Sequence, residues 1–200
     1  MLKLYQSQPS GNCYKIRLLL TQLEIPFEKI EINIFKKESR TPEFLKKNLN
    51  GRVPVVETES GQFLPESNAV LFYLSEGTQF FPEDRFEKAQ VMQWLFFEQY
   101  SHEPYIATSR YWISLLKKPE EYREQLEQKR EPGYAALGVM ERHLSNLEFF
   151  VGDRYTIADI DLFAYTHVAD EGGFDLSEFP NILAWIDRIK AQPKYISIKE

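Results

Sequence analysis

Two regimes of hydrophobic spacing divide the chain near residue 76. Before it, short strand-like runs are interleaved with helical ones; from Phe86 onward only helical spacing is found. Leu2-Lys3-Leu4-Tyr5 alternates as a strand. Ser10-Gly11-Asn12 then opens a helix whose Ile16, Leu19, Leu20 and Leu23 recur at i, i+3, i+4 and i+7, and Pro26 ends it. Ile30, Ile32 and Ile34 alternate against polar neighbours and predict a second strand from Phe27 to Ile34. Thr41-Pro42-Glu43-Phe44-Leu45 predicts a short helix, with Thr41 as cap and Pro42 at its first position. Val53-Pro54-Val55-Val56 predicts a third strand, placed at a sheet edge because proline donates nothing to a ladder. Glu59-Ser60-Gly61 turns it into a fourth short strand at Leu64-Pro65. Ser67 then caps a helix carrying Val70, Leu71 and Leu74. The resulting order is βαβαββα.

Beyond it, Gly77 to Arg85, with Pro82 inside, reads as a linker. Phe86 to about Leu116 predicts a long aromatic-rich helix. Glu120 to Leu147 predicts a helix broken or kinked near Pro132-Gly133, and Ile157–Val168 and Asn181–Lys190 predict two more. The expected organisation is an α/β domain over 1–78, a linker over 79–85 and an all-α helical bundle over 86–200. Thr156-Ile157-Ala158-Asp159 is a capping box with aspartate in the usual Glu or Gln place, a structural motif whose loss is expected to cost about 0.5–2 kcal/mol, as loss of a cap does.

Composition narrows the class. A 43% hydrophobic, 27% charged chain of 200 residues is an ordinary globular balance. No apolar run approaches the ~20 residues of a membrane span, and the first residues enter a strand pattern directly, so a cytoplasmic protein is expected, without membrane partners. One cysteine and three histidines without zinc-ligand spacing predict no metal. Residues 1–78 hold 10 Lys and Arg against 9 acidic residues, leaving 14 against 21 in the remainder, and that acidic half argues against nucleic acid. Lys36, Lys37, Arg40, Lys46, Lys47 and Arg52 crowd the approach to Val53-Pro54. They would draw in a small anion or, equally, be merely solvated.

Two helix starts offer chemistry. At Ser67, free backbone N–H groups and the positive end of the helix dipole suit a carboxylate, and Glu66 beside it suits an ammonium, so the pair matches an amino-acid head. The plainer alternative is a solvated Glu66 and a Ser67 that only caps. Ser10 likewise caps the first helix. Cys13, three residues on, either packs or has its thiol activated by the helix start, and Tyr5 is a further hydroxyl near the end of the first strand.

Asn50-Gly51-Arg52-Val53-Pro54-Val55-Val56, followed by Pro65-Glu66-Ser67-Asn68-Ala69-Val70, resembles the glutathione-binding half of the cytosolic glutathione transferases. The likeness covers essentially the whole chain. It implies a thioredoxin-like first domain, a helical second one and a homodimer in which the two domains pair across subunits, with Phe80-Phe81 as apolar anchors. It also implies a cis peptide at Pro54, main-chain pairing of Val53 with the cysteinyl part of glutathione, and a γ-glutamyl head held by Glu66 and Ser67. Ser10-x-Asn12-x-x-Lys15-Ile16 is most similar to the serine/threonine-type bacterial classes, notably the nu class. By that resemblance Ser10, helped by Asn12, donates to the thiolate, and Tyr5 and Cys13 fall to structural roles. A free thiol of pKa about 8.5 is only a few per cent ionised at neutral pH, and a hydroxyl donor with a helix N-terminus would lower that pKa by roughly one to two units. The family's glycyl-carboxylate histidine is replaced by Ser39, which leaves that contact to Lys36 or Lys37, with Arg52 nearby. Tyr100, His102, Tyr105 and Tyr111 are the candidates for an electrophile pocket. The implied activity is conjugation of glutathione, as co-substrate, to small hydrophobic electrophiles in detoxification. Glutathione-dependent disulfide reduction and a non-catalytic interaction or regulatory role are the alternatives.

Overall fold

The computed structural model describes residues Met1–Glu200, which fall into two compact units: Met1–Glu76 together with Pro193–Glu200, and Gly77–Gln192. The segment 193–200 lacks periodicity, so hydrophobic spacing leaves it with the helical part; its packing assigns it to the first unit.

That unit runs β1 (Leu2–Gln6), α1 (Gly11–Gln22), β2 (Phe27–Glu31), two 3-10 turns (Ile34–Lys36 and Glu38–Arg40), α2 (Pro42–Leu45), β3 (Val55–Glu57), β4 (Phe63–Pro65) and α3 (Ser67–Ser75). The sheet order is β2-β1-β3-β4. The α1 crossover makes β1 and β2 parallel, with Leu2 opposite Phe27 and Gln6 opposite Glu31. The hairpin makes β3 and β4 antiparallel, and β3 is also antiparallel to β1, with Tyr5 opposite Val55. The third strand is therefore interior, which corrects its expected place at an edge. Proline is tolerated because the ladder begins at Val55, one residue after it; the Val53–Pro54 peptide is cis. The second strand ends at Glu31 rather than Ile34. Asn33 stops it: its side chain accepts from Lys36 N at 3.0 Å and starts a 3-10 turn in place of further pairing.

Leu4, Val55 and Val56 are fully buried, as expected of interior strands covered on both faces. On one face Tyr5, Val55 and Phe44 form a cluster with Ile30, Ile32 and Val53 against it. Phe44 arrives there on α2, whose first turn is closed by Thr41 Oγ1 accepting from Phe44 N at 3.3 Å. Helix α1 packs beside α3 and buries Ile16, Leu18, Leu19 and Leu20.

The second unit is helical: α4 (Arg85–Phe97), a π segment (Glu98–His102), α5 (Glu103–Arg110), a second π segment (Tyr111–Leu115), α6 (Arg123–Leu144), α7 (Ile157–Thr166) and α8 (Pro180–Lys190). Asp84 sets the start of α4 by accepting from Phe86 N and Glu87 N at 2.8 and 3.0 Å. The break expected as one alternative at Pro132-Gly133 is absent, since α6 runs through it with Pro132 inside the helix. Gly133 is there for contact: a Cβ would come within 2.4 Å of the Phe174 ring. Phe80 and Phe81 are buried, with 4% and 6% exposure. Phe80 packs edge-on to Tyr155, and its carbonyl accepts from Ile157 N at 3.0 Å. They are core residues of their own unit and cannot anchor a partner.

The Thr156 capping box forms as expected. Its aspartate does more than cap. The fully buried Asp159 accepts from Thr156 N (2.9 Å), Thr156 Oγ1 (3.2 Å), Phe150 N (3.1 Å) and Trp185 Nε1 (2.9 Å), which ties α7 to α8 and to the loop before it. Burial pushes its carboxyl up to about 6, against the downward pull of those donors. No helix is long and apolar enough to cross a membrane.

Candidate functional site

The strand register collects the site at one end of the sheet. Tyr5 opposite Val55, and Val55 opposite Pro65, bring three segments to the same end: the turn after β1, the Val53-Pro54 entry to β3, and the Glu66-Ser67 exit from β4. The loop after β2, with Lys36 and Lys37, leaves from that end too, because β2 is parallel to β1. Carboxyl ends of strands with helix starts beside them are where α/β sheets bind ligands.

Ser10 is the N-cap of α1, and its Oγ accepts from Cys13 N at 3.3 Å. A hydroxyl that accepts there still has its own hydrogen to give, and the Cys13 sulfur is within its reach. Ser67 is the first helical residue of α3 rather than its cap, a place taken by Glu66 in the left-handed region at φ 70°. Glu66 makes no side-chain cap hydrogen bond to the first turn of α3. Ser67 Oγ donates to Asn12 Oδ1 at 3.3 Å, so the starts of α1 and α3 are joined side chain to side chain and their positive dipole ends converge.

The other residues are placed by backbone hydrogen bonds. Asn48 Nδ2 donates to Arg52 O at 2.9 Å, and Arg40 Nη1 to Asn50 O at 2.6 Å; together these hold the chain entering Val53. Gly51, at φ 62°, is required there because a Cβ would meet Ser39 O and Arg40 Nη1 at 2.8 Å. Lys37, at φ 60°, and Arg52 are exposed on the loops leading from β2 and into β3.

Tyr5 and Cys13 are both placed in surroundings that disfavour their ionised forms. Tyr5 donates to Glu57 Oε2 at 2.6 Å, and burial together with that carboxylate pushes its phenol up to about 12. Cys13 is fully buried, its Sγ accepts from Ser7 N at 3.4 Å, and burial pushes the thiol up to about 11, away from the reactive thiolate.

The four electrophile-pocket candidates are not brought together. Tyr100 is 83% exposed and His102 is completely buried. His102 Nε2 lies 2.9 Å from Thr166 Oγ1, whose own hydrogen goes to Leu162 O at 2.7 Å, so the ring donates to Thr166 as an interior hydrogen-bonding residue. It therefore leaves the set. Tyr105 and Tyr111 are half-buried. Beside Tyr105 stands a residue that the sequence pattern did not single out. Lys129 Nζ donates to Pro104 O at 2.7 Å and lies 5.6 and 5.4 Å from the Tyr105 and Trp112 rings; burial lowers its pKa. A lysine in the charged run before Pro132 carries no periodic signal; the aromatic residues spaced along the preceding helix were the only hint.

A four-stranded mixed sheet with two helix starts at the carboxyl ends of its strands, followed by a helical unit, defines a thioredoxin-like domain joined to an α domain. Residues 1–76 match the glutathione S-transferase N-terminal domain and residues 94–193 the glutathione S-transferase C-terminal domain, and the chain belongs to the glutathione S-transferase family. It is similar to the crystal structure of a glutathione S-transferase from Pseudomonas fluorescens Pf-5, at 49% identity and a TM-score of 0.98, covering 100% of this chain and 99% of that one. Disulfide-bond oxidoreductase YfcG of Escherichia coli strain K12 is 29% identical over 203 residues, 96% of this chain and 92% of the relative. Glutathione S-transferase 1 of Schizosaccharomyces pombe is 30% identical over 209 residues, 91% and 88% respectively.

Proposed function

We propose that the chain is a cytoplasmic glutathione transferase of the serine type, joining the glutathione thiolate to small hydrophobic electrophiles. The observation that carries this reading is the Ser10 hydroxyl. It is held by its accepted bond from Cys13 N, carries a hydrogen that can turn from the Cys13 sulfur to a bound thiolate, and stands at a helix start tied to a second helix start through Asn12 and Ser67. The γ-glutamyl carboxylate takes the Ser67 N–H and the Ser67 hydroxyl, which turns to it from Asn12 Oδ1, and its ammonium takes Glu66. The cysteinyl main chain pairs with Val53 beside Pro54, and the glycyl carboxylate lies toward Lys37 and Arg52. The sulfur then lies by Ser10, which donates to S⁻ and takes no proton from it. Attack on an electrophilic carbon forms the C–S bond and expels the leaving group with its electron pair. Ser67→Ala is expected to weaken glutathione binding by about 1–3 kcal/mol, the range for hydrogen bonds to charged groups. An unchanged dissociation constant by calorimetry would remove the γ-glutamyl assignment.

Disulfide reduction is the second reading, favoured by similarity to a protein named a disulfide-bond oxidoreductase and compatible with a buried Cys13. Two glutathiones would then reduce one disulfide and leave as oxidised glutathione, without a protein thiol. Parallel assays with chloro-dinitrobenzene and hydroxyethyl disulfide separate the two. Retention on glutathione-agarose without turnover in either would point to the interaction role.

We also propose a homodimer. With Phe80 and Phe81 buried, the exposed apolar positions Phe86, Phe96 and Tyr100, at 72%, 65% and 83% exposure, fall on one side of the helix by their spacing and replace them as anchors. Sedimentation at micromolar concentration is expected to give twice the 23.6 kDa chain mass, and a species of the chain mass alone would refute this.

A further inference from the structure

Gln8 lies between β1 and the helix start that carries Ser10, and its peptide is gripped on both sides. Its N–H donates to Glu31 Oε1 at 2.8 Å, and its carbonyl accepts from Arg17 Nη2 at 3.1 Å. Gln6 closes the ring, its Oε1 accepting from Arg17 Nη1 at 2.6 Å and its Nε2 donating to Glu31 Oε2 at 3.1 Å. From the segment Pro193–Glu200, Ile198 O accepts from Arg17 Nη2 at 2.8 Å and from Gln8 Nε2 at 3.1 Å, while Ile196 O accepts from the Tyr14 hydroxyl at 2.7 Å.

Arg17 is completely buried. Its direct hydrogen-bond partners are neutral oxygens; Glu31 attracts it through space and is hydrogen-bonded to Gln6 and Gln8 rather than to the guanidinium itself. Burying a guanidinium is costly, and an apolar side chain would fill the same space more cheaply. What the charge supplies instead is direction, since its planar fork holds three acceptors at fixed angles. Two of them, Gln6 Oε1 and Gln8 O, flank the turn into α1, and the third, Ile198 O, braces that turn from the 193–200 segment.

We propose that Glu31, Gln6 and Arg17 are positioning residues that fix the Gln8 peptide, and through it the entry of the chain into α1 and the direction of the Ser10 hydroxyl. Its effect on chemistry rests on the role given to Ser10 above; the hold on the turn does not. Glu31 is exposed, so Glu31→Gln is expected to leave the fold standing. Gln8 N–H and Gln6 Nε2 take different carboxylate oxygens, however, and an amide replaces one of them with an NH2 group, which leaves a donor facing a donor.

In the full-length Glu31→Gln protein, the Cys13 amide, which donates to Ser10 Oγ, is expected to exchange with solvent about tenfold faster by NMR. The pKa of bound glutathione is expected to rise by about 0.5, with kcat reduced and the glutathione dissociation constant within about twofold of wild type. The pKa effect is expected to vanish in a Ser10→Ala background, as coupling through Ser10 demands. Unchanged Cys13 exchange overturns the positioning role. Faster exchange with an unmoved thiolate pKa, in a protein where Ser10→Ala does move it, overturns the link to chemistry. If Ser10→Ala itself moves nothing, the Ser10 mechanism falls, and Cys13 exchange alone decides whether the ring holds the turn.

Discussion

Asp159→Ala is expected to cost about 3–4 kcal/mol of stability, well beyond the loss of a helix cap. The alanine leaves Phe150 N, Thr156 N and Trp185 Nε1 in a buried place without their acceptor, and each such donor costs about 1–3 kcal/mol. The desolvation cost of a buried carboxylate, removed at the same time, offsets part of that sum. Urea unfolding, with its slope held fixed, reads the loss. A value inside about 0.5–2 kcal/mol would return Asp159 to a cap alone. Glutathione binding per folded molecule is expected to be unchanged. The pH dependence has a definite sign. The folded carboxyl titrates near 6 and the unfolded one near its ordinary 3.8, so between those values the folded state holds the extra proton. Stability from this group therefore falls as pH rises from 3.8 to about 6 and is level above. The alanine variant lacks that component of the slope.

Ser10→Ala is expected to lower turnover more than affinity, because in the proposed mechanism the hydroxyl acts on the charged sulfur while other residues hold the two ends of glutathione. If the donor accounts for about one pKa unit, or about 1.4 kcal/mol, turnover drops about tenfold at a pH below both thiol pKa values. The deficit shrinks as pH rises, since both proteins then bind glutathione as the thiolate, and the more basic thiolate of the variant is intrinsically the better nucleophile. Loss of the cap adds a stability cost of about 1 kcal/mol, which a denaturation curve separates from the kinetic effect. Cys13→Ser is expected to leave turnover nearly intact, because its sulfur is buried and accepts from Ser7 N.

What the sequence made legible follows from how local each signal is. The α1 cap at Ser10, the Thr41-Pro42 helix start and the Thr156 capping box depend on neighbours within four residues, and all formed where the pattern put them. The strand order and the interior place of β3 depend on pairings between distant segments. A proline beside three valines reads as an edge until the ladder is seen to begin one residue later. Phe80 and Phe81 read as surface anchors because linker position says nothing about Tyr155 and Ile157 closing over them. His102 read as pocket-lining because helical spacing cannot show which face Thr166 occupies. At the candidate site, Ser10, Asn12 and Ser67 were visible as helix-start residues. The grip on Gln8 was not, since Glu31, Arg17 and Ile198 lie 23, 9 and 190 residues from it.

The central claim is that Ser10 stabilises a bound thiolate, and the ultraviolet absorbance of glutathione thiolate bound to the protein, titrated against pH, tests it most directly. The wild-type protein is expected to titrate one to two units below the free thiol value of about 8.5, Ser10→Ala about one unit above wild type, and Cys13→Ser with the wild type. The contrary result is a Ser10→Ala curve that overlays the wild type while Cys13→Ser abolishes turnover, which would make the protein a cysteine-type thiol transferase.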